Sequence, residues 1–75
     1  MIRAYLLLIT KPGVESRIAS KLINIKEVKD IEVVYGDYDI VIKVEFPNMD
    51  ELSAFIKKLR AIKNIKNTST MIAMQ

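Results

Sequence analysis

Strand-forming and helix-forming runs follow one another in this sequence in an order that few folds accommodate. Branched and aromatic residues bounded by turn residues predict strands at residues 1–10, 31–35, 38–46 and 68–74. Apolar residues recur at helical spacing after Gly13 and again after Asn48. The predicted order is therefore strand, helix, strand, strand, helix, strand, which contains two strand–helix–strand units.

The two helical segments carry signals for where each helix begins. Gly13 is the predicted N-cap of the first helix. The apolar face of that helix is predicted to comprise Val14, Ile18, Ala19, Leu22 and Ile23. Asn48, with Glu51 three residues later, is a variant capping box that starts the second helix. Its predicted buried stripe comprises Met49, Leu52, Phe55, Ile56, Leu59 and Ile62.

Gly36 and Asp37 separate the second and third strands and predict a type II′ hairpin, in which glycine takes the first loop position. A loop of this length fixes which residues lie opposite one another. The predicted pairs are Tyr35 with Tyr38, Val33 with Ile40, and Ile31 with Ile42. This register makes one face of the hairpin apolar, while the other carries Glu32, Val34, Asp39, Val41, Lys43 and Glu45.

Right-handed crossovers place the first and third strands at the centre of a four-stranded antiparallel sheet, with both helices on one face. The predicted fold class is an α+β, ferredoxin-like βαββαβ sandwich, with residues 1–75 forming a single domain. The inward face of the last strand stays open between two sets of alternating residues. These sets are Thr68, Thr70, Ile72, Met74 and Ser69, Met71, Ala73.

The sheet face that the helices leave uncovered is apolar along the first strand. If Ala4, Leu6 and Leu8 face the helices, their neighbours in the strand face the other way. Those neighbours, with two valines of the hairpin, are Tyr5, Leu7, Ile9, Val34 and Val41. Long Lys or Glu side chains could shield such a face. We favour homodimerisation through it, because exposed apolar patches usually mark interfaces and this small chain has no Cys or His for disulfides or zinc.

The residues that most enzymes use for catalysis are missing. Without His or Cys, the commonest general base and the thiol nucleophile are absent, and no glycine-rich phosphate loop occurs. We therefore predict no catalytic residues, no cofactor and no metal. One enzyme alternative stays open, a small dimeric α+β-barrel enzyme using Tyr5, Asp39 and Lys43, as does another small-molecule-binding ferredoxin-like protein.

The charge balance is mildly basic, with a formal net charge of +3 and a pI of about 9.3. This is less than a dedicated nucleic-acid binder shows, so we expect no direct DNA binding. RNA-binding sheets of this topology use more aromatic residues than Tyr5 on their central strands. No apolar run is long enough to cross a membrane, and the absence of a signal peptide and of cysteine favours a cytoplasmic protein.

Four short segments together resemble a known family. They are Ala4-Tyr5, Lys11-Pro12-Gly13, Val34-Tyr35-Gly36-Asp37-Tyr38-Asp39 and Thr68-Ser69-Thr70. Along its whole length the chain resembles the effector-sensing RAM domain of the Lrp/AsnC transcription regulators. The resemblance implies a ligand-binding and oligomerisation domain that pairs through its sheet face and assembles further into rings, such as an octamer or decamer.

The resemblance also implies an amino-acid effector bound between subunits. The residues it implies for that site are Gly36, Asp37, Tyr38, Asp39, Thr68, Ser69 and Thr70. Ordinary turn chemistry explains Gly36 and Asp37 equally well. The sequence opens directly on the first strand, so we expect a stand-alone member without a helix-turn-helix. This leaves an amino-acid sensor, a partner of full-length Lrp/AsnC regulators in mixed assemblies, or a relative with another ligand.

Overall fold

The structure is a computed structural model and describes residues 1–74. Its elements are β1 (Ile2–Thr10), α1 (Glu15–Leu22), β2 (Val28–Val33), β3 (Ile40–Phe46), α2 (Met49–Arg60) and β4 (Ile65–Ile72). The strands form one antiparallel sheet in the order β2-β3-β1-β4, so the first and third strands are central. The predicted α+β ferredoxin-like fold is confirmed.

The core lies between the sheet and the two helices. Alternate residues of β1 are fully buried, and Leu6 and Leu8 pair across the sheet with Ile42 and Ile40 of β3. The helices contribute the buried side chains Ile18, Leu22, Leu52, Phe55 and Leu59. Period-two burial in the central strands and period-3.6 burial in the helices therefore meet in one apolar layer.

The hairpin register was predicted correctly, but its loop is longer than predicted. Ile31 pairs with Ile42 and Val33 with Ile40. The strands end at Val33 and resume at Ile40, so the loop spans residues 34–39 instead of two residues. Tyr35 is fully exposed and does not extend the apolar face opposite Tyr38, which corrects that predicted pair. Gly36 has φ +130°, a conformation that favours glycine.

Further details differ from the sequence prediction, and β2 begins at Val28, three residues before the predicted start at Ile31. Val14, not Gly13, is the N-cap of α1, and the Gly13 N–H instead donates to the Glu15 carboxylate at 3.0 Å. Met49 was predicted to belong to the buried stripe, but this first residue of α2 is 44% exposed. β4 begins at Ile65, three residues earlier than predicted, because Ile65 already pairs with Thr10 of β1.

The pairing of β4 decides the face that the sequence left open. Thr68, Thr70 and Ile72 pair with Leu8, Leu6 and Ala4, all buried beneath the helices. Directly paired residues share a face of a sheet. The threonine set therefore faces the helix side, while the set beginning with Ser69 lies on the face that the helices leave uncovered.

Both helices are short, and no helix in residues 1–74 is long and apolar enough to cross a membrane.

The capping box of α2 is present as predicted. Asn48 Oδ1 accepts the Glu51 N–H at 3.0 Å, and Asn48 Nδ2 donates to Glu51 Oε2 at 3.3 Å. We expect Asn48→Ala to destabilise the domain by about 1 kcal/mol, which lowers the Tm by about 4–8 °C. Thermal unfolding followed by circular dichroism measures this. Asn24→Ala is the matched control, since Asn24 lies just after α1 and its side chain bonds only the Ser20 carbonyl. Equal Tm shifts in both variants would contradict a capping role for Asn48.

Candidate functional site

The open face of the sheet, defined here by the outward residues of β1, β3 and β4, is built around Leu7. Leu7 pairs with Val41 on one side and Ser69 on the other. Tyr5, one pair along, lies between Lys43 and Met71. No element of residues 1–74 covers this face, so its apolar side chains form an uncovered surface of the sheet.

Leu7 is one of five predicted interface residues. The other four also lie on or beside the open face. Tyr5, Ile9 and Val41 are half-buried on the strands themselves. Val34 lies one residue beyond β2, half-buried, with its N–H donating to the Asp39 carbonyl at 2.9 Å. Sequence reasoning missed Met71, which is 53% exposed and pairs with Tyr5, because the inward face of β4 was not assigned.

Charged residues lie around the margin of this apolar centre. Arg3 pairs with Glu45 near one end of the central strands, and Asp30 pairs with Lys43 toward the β2 edge. Opposite charges placed directly across a sheet are mutually favourable. An apolar centre with a polar margin is the anatomy of a protein interface.

The hairpin loop contributes four of the seven predicted ligand-binding residues. Gly36 and Asp37 are exposed, whereas Tyr38 and Asp39 are half-buried. The Asp39 N–H donates to the Leu8 carbonyl at 2.8 Å, which attaches the loop to the central strand. The loop is therefore held at its base and projects Asp37 into solvent at its tip.

Asp39 also has a structural role that the sequence did not indicate. Its Oδ2 accepts the Thr10 N–H at 2.9 Å, across 29 residues of sequence. Thr10 is buried, and the register between β1 and β4 shifts between Ile9 and Thr10. The Asp39 carboxylate thus satisfies a backbone donor at the irregular end of β1, where an unpaired N–H would be costly.

The other three predicted ligand-binding residues lie on β4 and point in alternate directions. Thr68 and Thr70 are on the helix side, whereas Ser69 is on the open face opposite Leu7. The Thr68 hydroxyl accepts Arg60 Nε at 3.2 Å, and its N–H donates to Asn67 Oδ1 at 2.9 Å. The hydroxyl cluster is therefore split between the two faces of the sheet.

Both groups of predicted site residues lie near the same end of the sheet but on opposite sides of β1. Leu8 pairs with Ile40, beside the hairpin loop, and with Thr68 on β4. Two strand spacings separate these neighbours, about 10 Å in total. Within one protomer the structure therefore brings the two groups to one end and does not gather all seven residues in one pocket.

A cavity of about 260 Å³ at this end includes one predicted site residue, Thr68. Its other lining residues are Arg60, Ile65, Lys66 and Asn67, none of which sequence reasoning assigned to the site. The run of basic residues from Lys57 to Lys66 was the available signal, but it is equally typical of a solvated helix end. A separate cavity of about 390 Å³ lies on the helix side against Phe46 and Phe55 and contains none of the seven residues.

Curated relatives match between 77% and 99% of this chain. The HTH-type transcriptional regulator FL11 of Pyrococcus furiosus is 35% identical over 74 residues, covering 99% of this chain and 49% of the regulator. The chain thus spans about half the length of that relative. Homocitrate synthase of Sulfolobus acidocaldarius is 33% identical over 58 residues, which cover 77% of this chain but 12% of the enzyme.

Solved structures show the same arrangement of elements. The hypothetical protein PHS023 from Pyrococcus horikoshii superposes with a TM-score of 0.93 at 42% identity, covering 100% of this chain and 92% of that one. E. coli AsnC superposes with a TM-score of 0.87 at 29% identity, covering 99% of this chain and 51% of AsnC. The sequence pattern of the Lrp/AsnC ligand-binding domain matches residues 3–75. With this match over almost all of its sequence, the chain belongs to the Lrp/AsnC ligand-binding domain family.

Proposed function

We propose that this chain is a regulatory module that pairs through its open sheet face and binds a small amino-acid effector between subunits. The observation that carries the proposal is the match of residues 3–75 to a ligand-binding domain family. The regulator relatives and the predicted lack of catalytic residues support a non-enzymatic role, and the same relatives support a cytoplasmic location.

The composition of the open face supports pairing between two copies. Leu7 lies at its centre, and Tyr5, Ile9, Val41 and Met71 surround it without a covering layer. A second copy presents the same apolar surface, and two such faces bury each other in a symmetric, isologous interface. The release of water from both surfaces then favours association.

The split of the predicted site supports a ligand position between subunits. The hairpin carboxylates and the β4 hydroxyls of one protomer lie on opposite sides of β1. A hairpin supplied by a neighbouring subunit could approach β4 of the first subunit without this separation. A site assembled in this way couples binding to assembly, because a ligand that contacts two subunits favours the associated state.

The chemistry of the two groups suits an amino-acid zwitterion. An ammonium group needs acceptors, and the exposed Asp37 carboxylate and the unused Oδ1 of Asp39 supply them. A carboxylate needs donors, which the hydroxyls of Thr68, Ser69 and Thr70 supply. The two groups thus offer complementary partners for the two ends of one small molecule.

We expect at least one common amino acid to bind at millimolar concentration or tighter and to raise the oligomer mass. Calorimetric titration of the common amino acids, with mass followed by light scattering, measures both effects. Asp37→Asn and Thr70→Val each remove one ligand partner and should weaken binding about tenfold. Asp37 and Thr70 are exposed, so neither change should disturb the core.

Two controls keep this test specific. Asp50→Asn removes an exposed carboxylate in the first turn of α2, outside the proposed site, and should leave binding unchanged. Asp39→Asn alters the carboxylate bonded to Thr10, so its affinity is compared only after its melting temperature is known. If no amino acid binds the wild type at millimolar concentration, the sensor role fails. Binding that survives both test substitutions means the site lies elsewhere.

Two relationships extend the proposal to partners. The chain corresponds to about half of FL11, so a common pairing face would allow mixed assembly with full-length regulators of that kind. The match to homocitrate synthase covers 12% of that enzyme. This short match supports the view that a domain like this chain serves as a ligand-binding module within that enzyme. We infer no DNA-binding role for residues 1–74, whose two helices are separated by two strands and form no helix-turn-helix.

A further inference from the structure

Positive charge is concentrated in the last third of the sequence. After Glu51 the chain has no further Asp or Glu but carries Lys57, Lys58, Arg60, Lys63 and Lys66. Residues 1–51 contain all 9 Asp and Glu residues and the other 7 of the 12 basic residues. The end of α2 and the start of β4 therefore have no acidic residue of their own segment to neutralise them.

Two of these cations line the cavity of about 260 Å³ that contains Thr68. Arg60 comes from the last turn of α2, and Lys66 from the second residue of β4. Asn67 and Ile65 complete the lining, and none of the lining residues is acidic. The cavity therefore has a net positive lining and an apolar wall on one side.

Hydrogen bonds hold the polar groups of this cavity in place. Arg60 Nε donates to the Thr68 hydroxyl at 3.2 Å, which occupies one of five guanidinium N–H groups and leaves the terminal nitrogens for a ligand. Asn67 Oδ1 accepts the Thr68 N–H, so its amide donors are also left for a ligand. The cavity is thus rich in side-chain donors, and the side-chain oxygens of Asn67 and Thr68 each already accept a hydrogen bond.

We infer that this cavity, defined by Arg60, Lys66, Asn67 and Thr68, is an anion subsite that makes the effector an acidic amino acid. The inference rests on the proposed function, because it places the side-chain carboxylate of the effector beside the proposed inter-subunit site. A planar guanidinium matches a carboxylate with two parallel hydrogen bonds. An acidic amino acid has a second carboxylate to place against Arg60 and Lys66, whereas a neutral amino acid has none besides its α-carboxylate.

Solvated helix ends also carry basic residues, which favour the C-terminal end of the helix dipole. That explanation accounts for Lys57 and Lys58, which do not line the cavity. It does not account for Lys66, which lies on a strand, or for the bond that orients Arg60 toward β4. The two cations on separate elements distinguish a subsite from a helix end.

The test is an NMR titration of the ¹⁵N-labelled chain with L-glutamate, its neutral isostere L-glutamine, and glutarate. We expect glutamate to shift the amides of Lys66, Asn67 and Thr68 and to bind about tenfold more tightly than glutamine. Arg60→Gln should reduce glutamate affinity to the level of glutamine. Lys57→Gln, which removes the same charge one turn earlier on α2, should leave it unchanged.

The outcomes separate this inference from the proposed function. Equal affinities for glutamate and glutamine, or unchanged glutamate binding in Arg60→Gln, would overturn the anion subsite while leaving a sensor of neutral amino acids intact. If no amino acid binds but glutarate shifts residues 66–68 in an Arg60-dependent manner, the subsite stands and the amino-acid role fails. If glutarate also leaves these amides unshifted, both fail.

Discussion

Under the proposed pairing through the open face, replacing Leu7 by lysine is expected to convert dimers into folded monomers. Leu7 lies at the centre of the open face, between Val41 and Ser69. In a symmetric pair of sheets, central residues of the two copies approach each other, so the two ammonium groups would be buried close together. An unpaired buried charge costs several kcal/mol, so we expect the dimer Kd to rise about a hundredfold or more.

Sedimentation velocity across a range of protein concentrations measures this effect. Circular dichroism should show that the variant keeps its secondary structure, because Leu7 is only half-buried in the single protomer and a lysine there remains solvated. Ile23→Lys is the matched control, since Ile23 is 45% exposed beside α1 and lies off the open face. A Leu7→Lys variant that still sediments as a dimer with unchanged melting would show that another surface joins the subunits.

Local patterns were sufficient to predict the fold, because each element carries its own periodicity and the hairpin carries a check on register. Ile31 opposite Ile42 follows from where two alternating strands turn, and it was predicted correctly. The loop length was not, since Tyr35 and Tyr38 look strand-like by composition although Tyr35 is fully exposed. An aromatic residue near a loop does not by itself indicate burial.

The candidate site was harder to predict because it depends on contacts between distant segments. The bond from Thr10 N–H to Asp39 Oδ2 joins residues 29 apart, and no local pattern indicates it. The face of β4 required its pairing with β1, since both alternating sets contain apolar residues. Arg60 and Lys66 come together only because the turn after α2 returns the chain to the sheet at Ile65.

Leu6→Ala is expected to destabilise the protomer itself more than any surface change. Leu6 is fully buried between Ile42 and Thr70 on the helix side of β1. Removing its three outer carbons loses apolar burial and leaves a cavity, which costs about 2–5 kcal/mol for a buried leucine. A single core of this size supplies only roughly 3–5 kcal/mol, so the isolated protomer should be largely unfolded near room temperature.

The neighbouring Leu7→Ala variant is the control that gives this prediction its meaning. The two substitutions remove the same atoms from adjacent residues whose side chains point to opposite faces of one strand. At protein concentrations below the dimer Kd, chemical denaturation should show Leu6→Ala strongly destabilised and Leu7→Ala much less so, since the half-buried Leu7 loses less apolar burial. Above the Kd both variants should lose stability, since association contributes to it. Equal losses at low concentration would mean that the open face is buried within the protomer, against the geometry of β1. The change in unfolding free energy with protein concentration separates the stability of the core from that of the interface. Leu6→Ala reports on the core and Leu7→Ala on the interface, at neighbouring positions of β1.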